Sequence, residues 1–185
     1  RDYKVTGVQT CALPIWPQPQ QFKLLRLRPP HFPTVRLAQL AALMVHSPAW
    51  FAQLLECTNT ASVLQQLQAP VHAYWHTHYV FDKPVKAAKT SLGKSQQNIL
   101  LINAVVPLLF AYGKYKANDT YCDRALQWLE EIEAEKNTVI TQWKALGMAA
   151  RHAADTQALL QLKKHHCDAH RCLHCSIGIK ILKRT

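Results

Sequence analysis

The sequence predicts an all-α protein: a compact bundle of about seven short-to-medium helices behind an extended, proline-rich lead-in. Three observations carry this expectation. Glycine is scarce, at five of 185 residues, while Ala, Leu and Gln are abundant, which favours helices over hairpins. Apolar residues recur at helical spacing over most of the chain from position 34 onward. Ser, Asn, Asp and Thr stand just ahead of several of these runs, where a helix start needs an acceptor for its orphan N–H groups. Hydrophobic residues make up 49%, and a chain of this length can bury a core without disulfides.

The first 15 residues, RDYKVTGVQTCALPI, have neither caps nor periodicity. VTGVQTCALPI resembles the in-frame translation of a sequencing-adapter oligonucleotide, so residues 1–15 are set apart from fold reasoning as non-native. Setting them aside removes Cys11 from the six cysteines and, through Arg1, Asp2 and Lys4, one unit from the net charge of +11. Residues 16–33, WPQPQQFKLLRLRPPHFP, hold five prolines, which fix φ and disfavour helix at the residue before each. They read as an extended lead-in, and the helical domain proper runs over 34–185.

Thr34 opens TVRLAQLAALMVH, with Leu37, Leu40, Ala41 and Met44 at helical spacing. Ser47-Pro48 reads as a cap with proline at the first helical position, starting PAWFAQLLEC. Asn59 or Thr60 caps a short helix, ASVLQQLQ, which Pro70 closes off. VHAYWHTHYVF at 71–81 reads as irregular or extended. A long apolar helix follows over about 94–114, and Pro107 removes the donor for the Asn103 carbonyl, so a kink is expected there, with the Asn103 side chain satisfying disturbed backbone. Asp119 or Thr120 caps YCDRALQWLEEIEAE, Asn137 caps TVITQWKALG, and Gly147 stops that helix. ADTQALLQLKKHH and a short amphipathic SIGIKILKRT complete the chain.

The basic balance favours an acidic partner, nucleic acid or another anionic surface. Residues 163–185 carry Lys163, Lys164, Arg171, Lys180, Lys183 and Arg184 against Asp168 alone, while Glu130, Glu131, Glu133 and Glu135 form an acidic cluster on the expected helix surface. The longest apolar stretch, 99–112, has 14 residues and contains Asn103 and Pro107; a spanning helix needs about 20, so no membrane partner is expected. With no signal-peptide pattern, the expected location is the cytoplasm, where cysteines stay reduced. Glycine-rich phosphate loops and serine elbows are absent, and the aspartates lack partners at useful spacing, so this stretch does not read as a hydrolase or transferase.

The strongest constellation is KKHHCDAHRCLHC, in which Cys167, Cys172 and Cys175 form a CxxxxCxxC pattern interleaved with His165, His166, His170 and His174. Thiolates are soft ligands for zinc or, less favoured here, an iron–sulfur cluster. The fourth ligand is left to a nearby histidine such as His170, or to Cys57 or Cys122 brought in by the fold. The competing reading is a set of reduced cysteines packing a helix–loop–helix end, with redox chemistry a third. A second constellation, His72, His76 and His78, is interleaved with Tyr74, Trp75 and Tyr79. An aromatic core or interface is the plainer reading, against metal binding or a platform on which Trp75, His78 and Tyr79 stack unpaired bases, with Lys163, Lys164 and Arg171 as phosphate contacts elsewhere in the chain.

Taken together, LLRLRPPHFPTVRLAQLAAL, YWHTHYVF, SLGKSQQNILLINAVVPLLFAYG, ALQWLEEIEAEKNTVITQW and QALLQLKKHHCDAHRCLHCSIG, spanning about residues 22–183, resemble the C-terminal half of domain-of-unknown-function family 2851, an uncharacterised bacterial family. The resemblance implies family positions at Cys167, Cys172 and Cys175, at Tyr74-Trp75, His78 and Tyr79, and along Asn103 to Pro107. It does not single out His72, His76, His165 or His174. Full-length members carry a preceding β-rich half with acidic and histidine positions of nuclease-like character. The chain then reads as a fragment whose missing N-terminal half is a partner. Its expected role is a non-catalytic accessory or binding domain, associated with nucleic acid and holding a structural metal at the cysteine cluster. The alternatives are a fragment of a metal-dependent nuclease-like enzyme and a purely structural interaction domain.

Overall fold

The computed structural model describes residues 32–88 and 90–183. The expectations for residues 1–15, and for all of the lead-in before Phe32, lie outside the described residues. The all-α expectation holds: eight helices, counting one interrupted rod as a single helix, accompany a sheet of only two strands among the described residues. The described chain divides into two compact units, one of residues up to Ala42 with Pro70–Ser91, the other of Leu43–Ala69 with Leu92 onward.

The helix α1 (Pro33–His46), whose residues up to Ala42 belong to the first unit, starts on proline, whose missing N–H is unneeded at a helix start. The Thr34 hydroxyl donates to the Tyr79 carbonyl, and Gln39 Nε2 donates to Thr90 O at 2.6 Å. These bonds set which side of α1 turns inward. Val35 is fully buried, with Ala38, Gln39, Ala42 and Leu43 half-buried on its side. The stripe that defined the periodicity is instead exposed, at Leu37, Leu40 and Met44. The 71–81 stretch is more regular than its sequence implies. A 3-10 turn (Ala73–His76) is capped by His72 Nδ1, which accepts from Tyr74 N at 3.2 Å. A small antiparallel hairpin follows, β1 (His78–Val80) with β2 (Lys83–Pro84), paired His78 to Pro84 and Val80 to Lys83 around Asp82 at φ 57°.

The second unit holds α2 (Trp50–Glu56), α3 (Thr60–Gln66), α4 (Lys94–Leu100), α5 (Val106–Tyr115), α6 (Asp119–Glu131), α7 (Thr138–Ala145), α8 (Ala153–Leu162) and α9 (Ser176–Leu182). Three helix starts, those of α3, α6 and α7, follow asparagine. Asn59 accepts from Ser62 N at 2.9 Å, Asn118 from Thr120 N at 3.0 Å and Asn137 from Ile140 N at 3.0 Å. Asn118, not Asp119 or Thr120, is therefore the cap of α6. Ser47-Pro48 does not start α2: Trp50 N bonds Ser47 O at 3.0 Å in a turn, and Ala49 takes the cap position without a side-chain bond. Gly147, at φ 85°, ends α7 as expected, with Met148 N bonded to Trp143 O and Gly147 N to Lys144 O, both at 3.0 Å.

Helices α4 and α5 form one rod, Lys94–Tyr115, joined by a wide turn at Leu101–Val105 in which Val106 N reaches back to Leu101 O. The disturbance expected from Pro107 takes this form, and Asn103 Nδ2 donates to Ile99 O at 3.0 Å. The 22-residue rod is long and apolar enough to cross a membrane by length and composition alone. Its Leu101, Ile102, Val105, Val106 and Leu109 are buried in the core with Leu54, Val63, Ala125, Trp128, Ile132 and Ala153. The acidic cluster is split: α6 stops at Glu131, and Glu135, beyond it, accepts from Gln157 Nε2 at 2.5 Å rather than lying on a helix face.

Candidate functional site

Three local features build the end of the chain. First, α8 runs into a second wide turn, Lys163–Cys167, closed by Asp168 N bonding Lys163 O at 2.8 Å. Such turns recur at functional sites because they re-aim side chains without ending the helix. Second, His170 adopts φ 53° and the chain reverses, with Arg171 N on His166 O at 2.8 Å and a 3-10 turn at Cys172–His174. Third, α9 folds back against that turn, because Gly178 has no Cβ to strike the Cys172 carbonyl.

The result is a pocket of about 190 Å³ lined by Cys167, Cys172, Cys175 and His166, with Trp143 of α7 and Leu162 of α8 among its apolar walls. All three cysteines of the pattern therefore border one space. Cys175 is buried, while Cys167 and Cys172 are exposed. As the side chains stand, no group of three or more His, Cys, Asp or Glu among the described residues is gathered closely enough to hold a metal ion.

The fourth-ligand candidates named from sequence lie elsewhere. Cys122 is buried on α6, its thiol 3.6 Å from Phe110 O. Cys57 is buried too, bonded by Gln66 Nε2 at 3.3 Å, and burial pushes its thiol pKa up. His170 is exposed, with Nδ1 3.1 Å from Asp168 O. None of the three lines the pocket. His166 does, and its Nδ1 is buried with no hydrogen-bond partner. Sequence reasoning placed His166 among four interleaved histidines with nothing to separate it from the others. Only the wide turn does so.

The aromatic constellation is a separate feature of the first unit. His78 stacks on Tyr74 at 4.1 Å between ring centroids and 8° between planes. Its Nδ1 lies 2.9 Å from Tyr74 O. Trp75 meets Phe81 edge-on at 5.1 Å. Tyr79 points away into its own stack with Phe32 at 6.1 Å. Of the expected platform, Trp75 and His78 come together with Tyr74 and Phe81, and Tyr79 does not join them. Phe81, absent from the sequence-based set, is 60% exposed at the hairpin tip. His72 serves as a cap, and His76 is exposed. Among the basic candidates, Lys163 is tied to Asp168 at 2.6 Å, whereas Lys164 and Arg171 are exposed.

No curated protein and no solved structure matches the chain. A family model described as "Protein of unknown function (DUF2851)" matches residues 11–138. The match begins at Cys11, inside the segment set apart above, and takes in the aromatic hairpin and the core helices as far as the start of α7. The cysteine-lined pocket lies beyond its end. With more than half of its length matched, the chain belongs to the DUF2851 family of proteins of unknown function.

Proposed function

We propose that the chain is a non-catalytic helical accessory domain whose C-terminal hairpin is closed by a structural zinc ion on Cys167, Cys172 and Cys175 and presents positive charge to nucleic acid. The observation that carries the reading is that all three cysteines line one pocket, although the first and the last stand eight positions apart. Zinc is the ion of choice for thiolate-rich sites that do no chemistry. It would pin the hairpin, whose core side is a small apolar patch rather than a deep core. Near the cysteines in sequence, Lys164, Arg171, Lys180 and Lys183 are exposed, and the one acid there, Asp168, is already engaged by Lys163. A pinned hairpin with free cations suits phosphate contacts that carry no sequence information.

The test has two arms. Untagged protein purified without chelator is expected to carry about one equivalent of zinc by elemental analysis. Less than roughly a tenth of an equivalent overturns the metal, and a visible absorbance band replaces zinc with an iron–sulfur cluster. Binding to a labelled single-stranded oligonucleotide is expected to weaken steeply between about 50 and 200 mM salt. A flat salt response, or no binding at the lower salt, removes the nucleic-acid role.

A further inference from the structure

We infer that the tip of the β1–β2 hairpin is a stacking platform for an unpaired base of single-stranded nucleic acid, with Phe81 as the ring that meets the base and Lys83 and Lys86 as cations for the adjoining phosphates. The inference rests on the nucleic-acid reading above and gives it a second surface, in the first unit.

Three observations converge. The first is the open ring. Phe81 is 60% exposed although two other rings touch it. Trp75 meets it at 5.1 Å between centroids and 65° between planes, and Tyr74 at 6.1 Å and 32°. Neither lies parallel to Phe81, whereas Tyr74 already has His78 stacked flat on it. A flat stack on Phe81 is left for a ring from outside, and exposed apolar surface of this kind marks a contact site.

The second is that the tip is held in place. A two-stranded hairpin this short is marginal by itself. Here Tyr74 Oη accepts from Asp82 N at 3.3 Å, and Val85 N donates to Thr77 O and Ala88 N to His76 O, both at 2.7 Å. The ring is therefore positioned before any partner arrives, which lowers the entropy lost on binding.

The third is charge. Lys83 and Lys86 are exposed, as are His72 and His76, and Asp82 is the one acid between positions 71 and 88. Ring and cations together select the occupant. An apolar peptide would cover Phe81 and leave both lysines without counter-charge. A duplex offers phosphates, but its base faces are already stacked on one another. An unpaired strand supplies a free base face beside a phosphate, and stacking of this type accepts any base.

The full chain is titrated, by fluorescence anisotropy, into labelled oligothymidylate and into a strand of equal length built of abasic residues, which keeps the phosphates and lacks the bases. Phe81→Ala is expected to weaken binding to oligothymidylate by about 5–150-fold and to leave the abasic strand and the salt slope unchanged. Phe81→Trp is expected to bind at least as tightly as wild type, and Phe81→Leu to behave like Phe81→Ala, because leucine keeps the apolar surface but has no ring. Replacing Lys83 and Lys86 together by alanine is expected to weaken both strands and flatten the salt slope. Far-UV circular dichroism checks folding, and the comparison of Trp with Leu carries the test if the Ala variant is unfolded. Equal losses on the two strands, or a Leu variant as good as wild type, overturn the platform. So does a Phe81→Ala variant that matches wild type on oligothymidylate, and in that case the nucleic-acid reading stands on the C-terminal cations. A wild-type chain that binds neither strand removes both.

Discussion

The carbonyl of Cys172 occupies the space where a Cβ of residue 178 would stand, and only glycine lets α9 lie against the turn at Cys172–His174. This contact brings Cys175, Ile177 and Ile181 around the cysteine-lined pocket. Gly178→Ala sets two effects against each other. Alanine gains about 1 kcal/mol in helix propensity. The collision is with backbone, which cannot swing aside, and overpacking of this kind costs about 1–3 kcal/mol or more. The expected outcome is a net loss of stability and faster thiol labelling of Cys175, now buried, measured by urea denaturation and a thiol reagent. A variant as stable as wild type, with Cys175 equally protected, would sink the idea.

A second glycine works the same way inside the core unit. A Cβ on Gly113 would meet Cys122 Sγ at 2.7 Å and both Asn118 O and Cys122 N at 3.0 Å. Gly113→Ala is expected to destabilise by about 1–3 kcal/mol as α5 and α6 are forced apart. Cys122→Ala removes the nearest atom but not the two backbone atoms. The double variant should therefore recover part of the loss, with a coupling of at least about 0.5 kcal/mol in a double-mutant cycle. Strict additivity would show that the sulfur is not what the new methyl meets.

These glycines mark the limit of what the sequence makes legible. Local signals were readable where one residue settles the outcome: Asn137 as a cap, Gly147 as a stop, and Asn103 beside Pro107, while Asn59 is one of the two residues, with Thr60, that the sequence offers as the cap of α3. They failed where two neighbours compete for one role. Asn118 outranks Asp119 and Thr120 at α6, and Ser47-Pro48 forms a turn instead of a cap. On α1 the apolar period could not choose a face, because Val35, Ala38 and Ala42 offer a second one that polar bonds from Thr34 and Gln39 select. The three cysteines were visible as a cluster. His166 was not distinguishable from its neighbours, because its orientation depends on a wide turn that no single residue signals.

At the start of α8, Asp155 and His152 form a reciprocal cap. Asp155 Oδ2 accepts from Arg151 N at 2.8 Å, and His152 Nδ1 lies 3.4 Å from Asp155 N. The Arg151 N–H holds the Asp155 carboxyl below its ordinary pKa, with attraction from His152 adding to it. A carboxylate depressed in the folded state contributes stability that is fully present above the unfolded value of about 3.9 and is lost as pH falls through the folded value. Asp155→Asn is therefore expected to flatten the acid limb of a stability–pH curve between about pH 5 and pH 2, while differing less from wild type at the acid end. Parallel curves for the two proteins would show that the carboxyl's charge contributes nothing to the cap.

Arg124 ties α6 to the end of α2. Its Nη1 donates to Leu55 O at 2.7 Å and to Cys57 O at 3.0 Å, satisfying carbonyls that a helix end leaves without intrahelical donors. The guanidinium also lies over the Tyr121 ring at 5.3 Å. Hydrogen bonds from a charged donor contribute about 1.5–3 kcal/mol, and the carbonyls they serve are partly buried. Arg124→Met, which keeps the apolar stem, is expected to cost about 2 kcal/mol by urea denaturation. Arg124→Lys should recover only part of this, since an ammonium lacks the planar fork. Hydrogen exchange gives an independent reading: amides at 54–58 should lose protection in Arg124→Met while those of α8 do not. If Arg124→Met matches wild type in both, the two short bonds are surface ornaments, and the α2 end is satisfied by water instead.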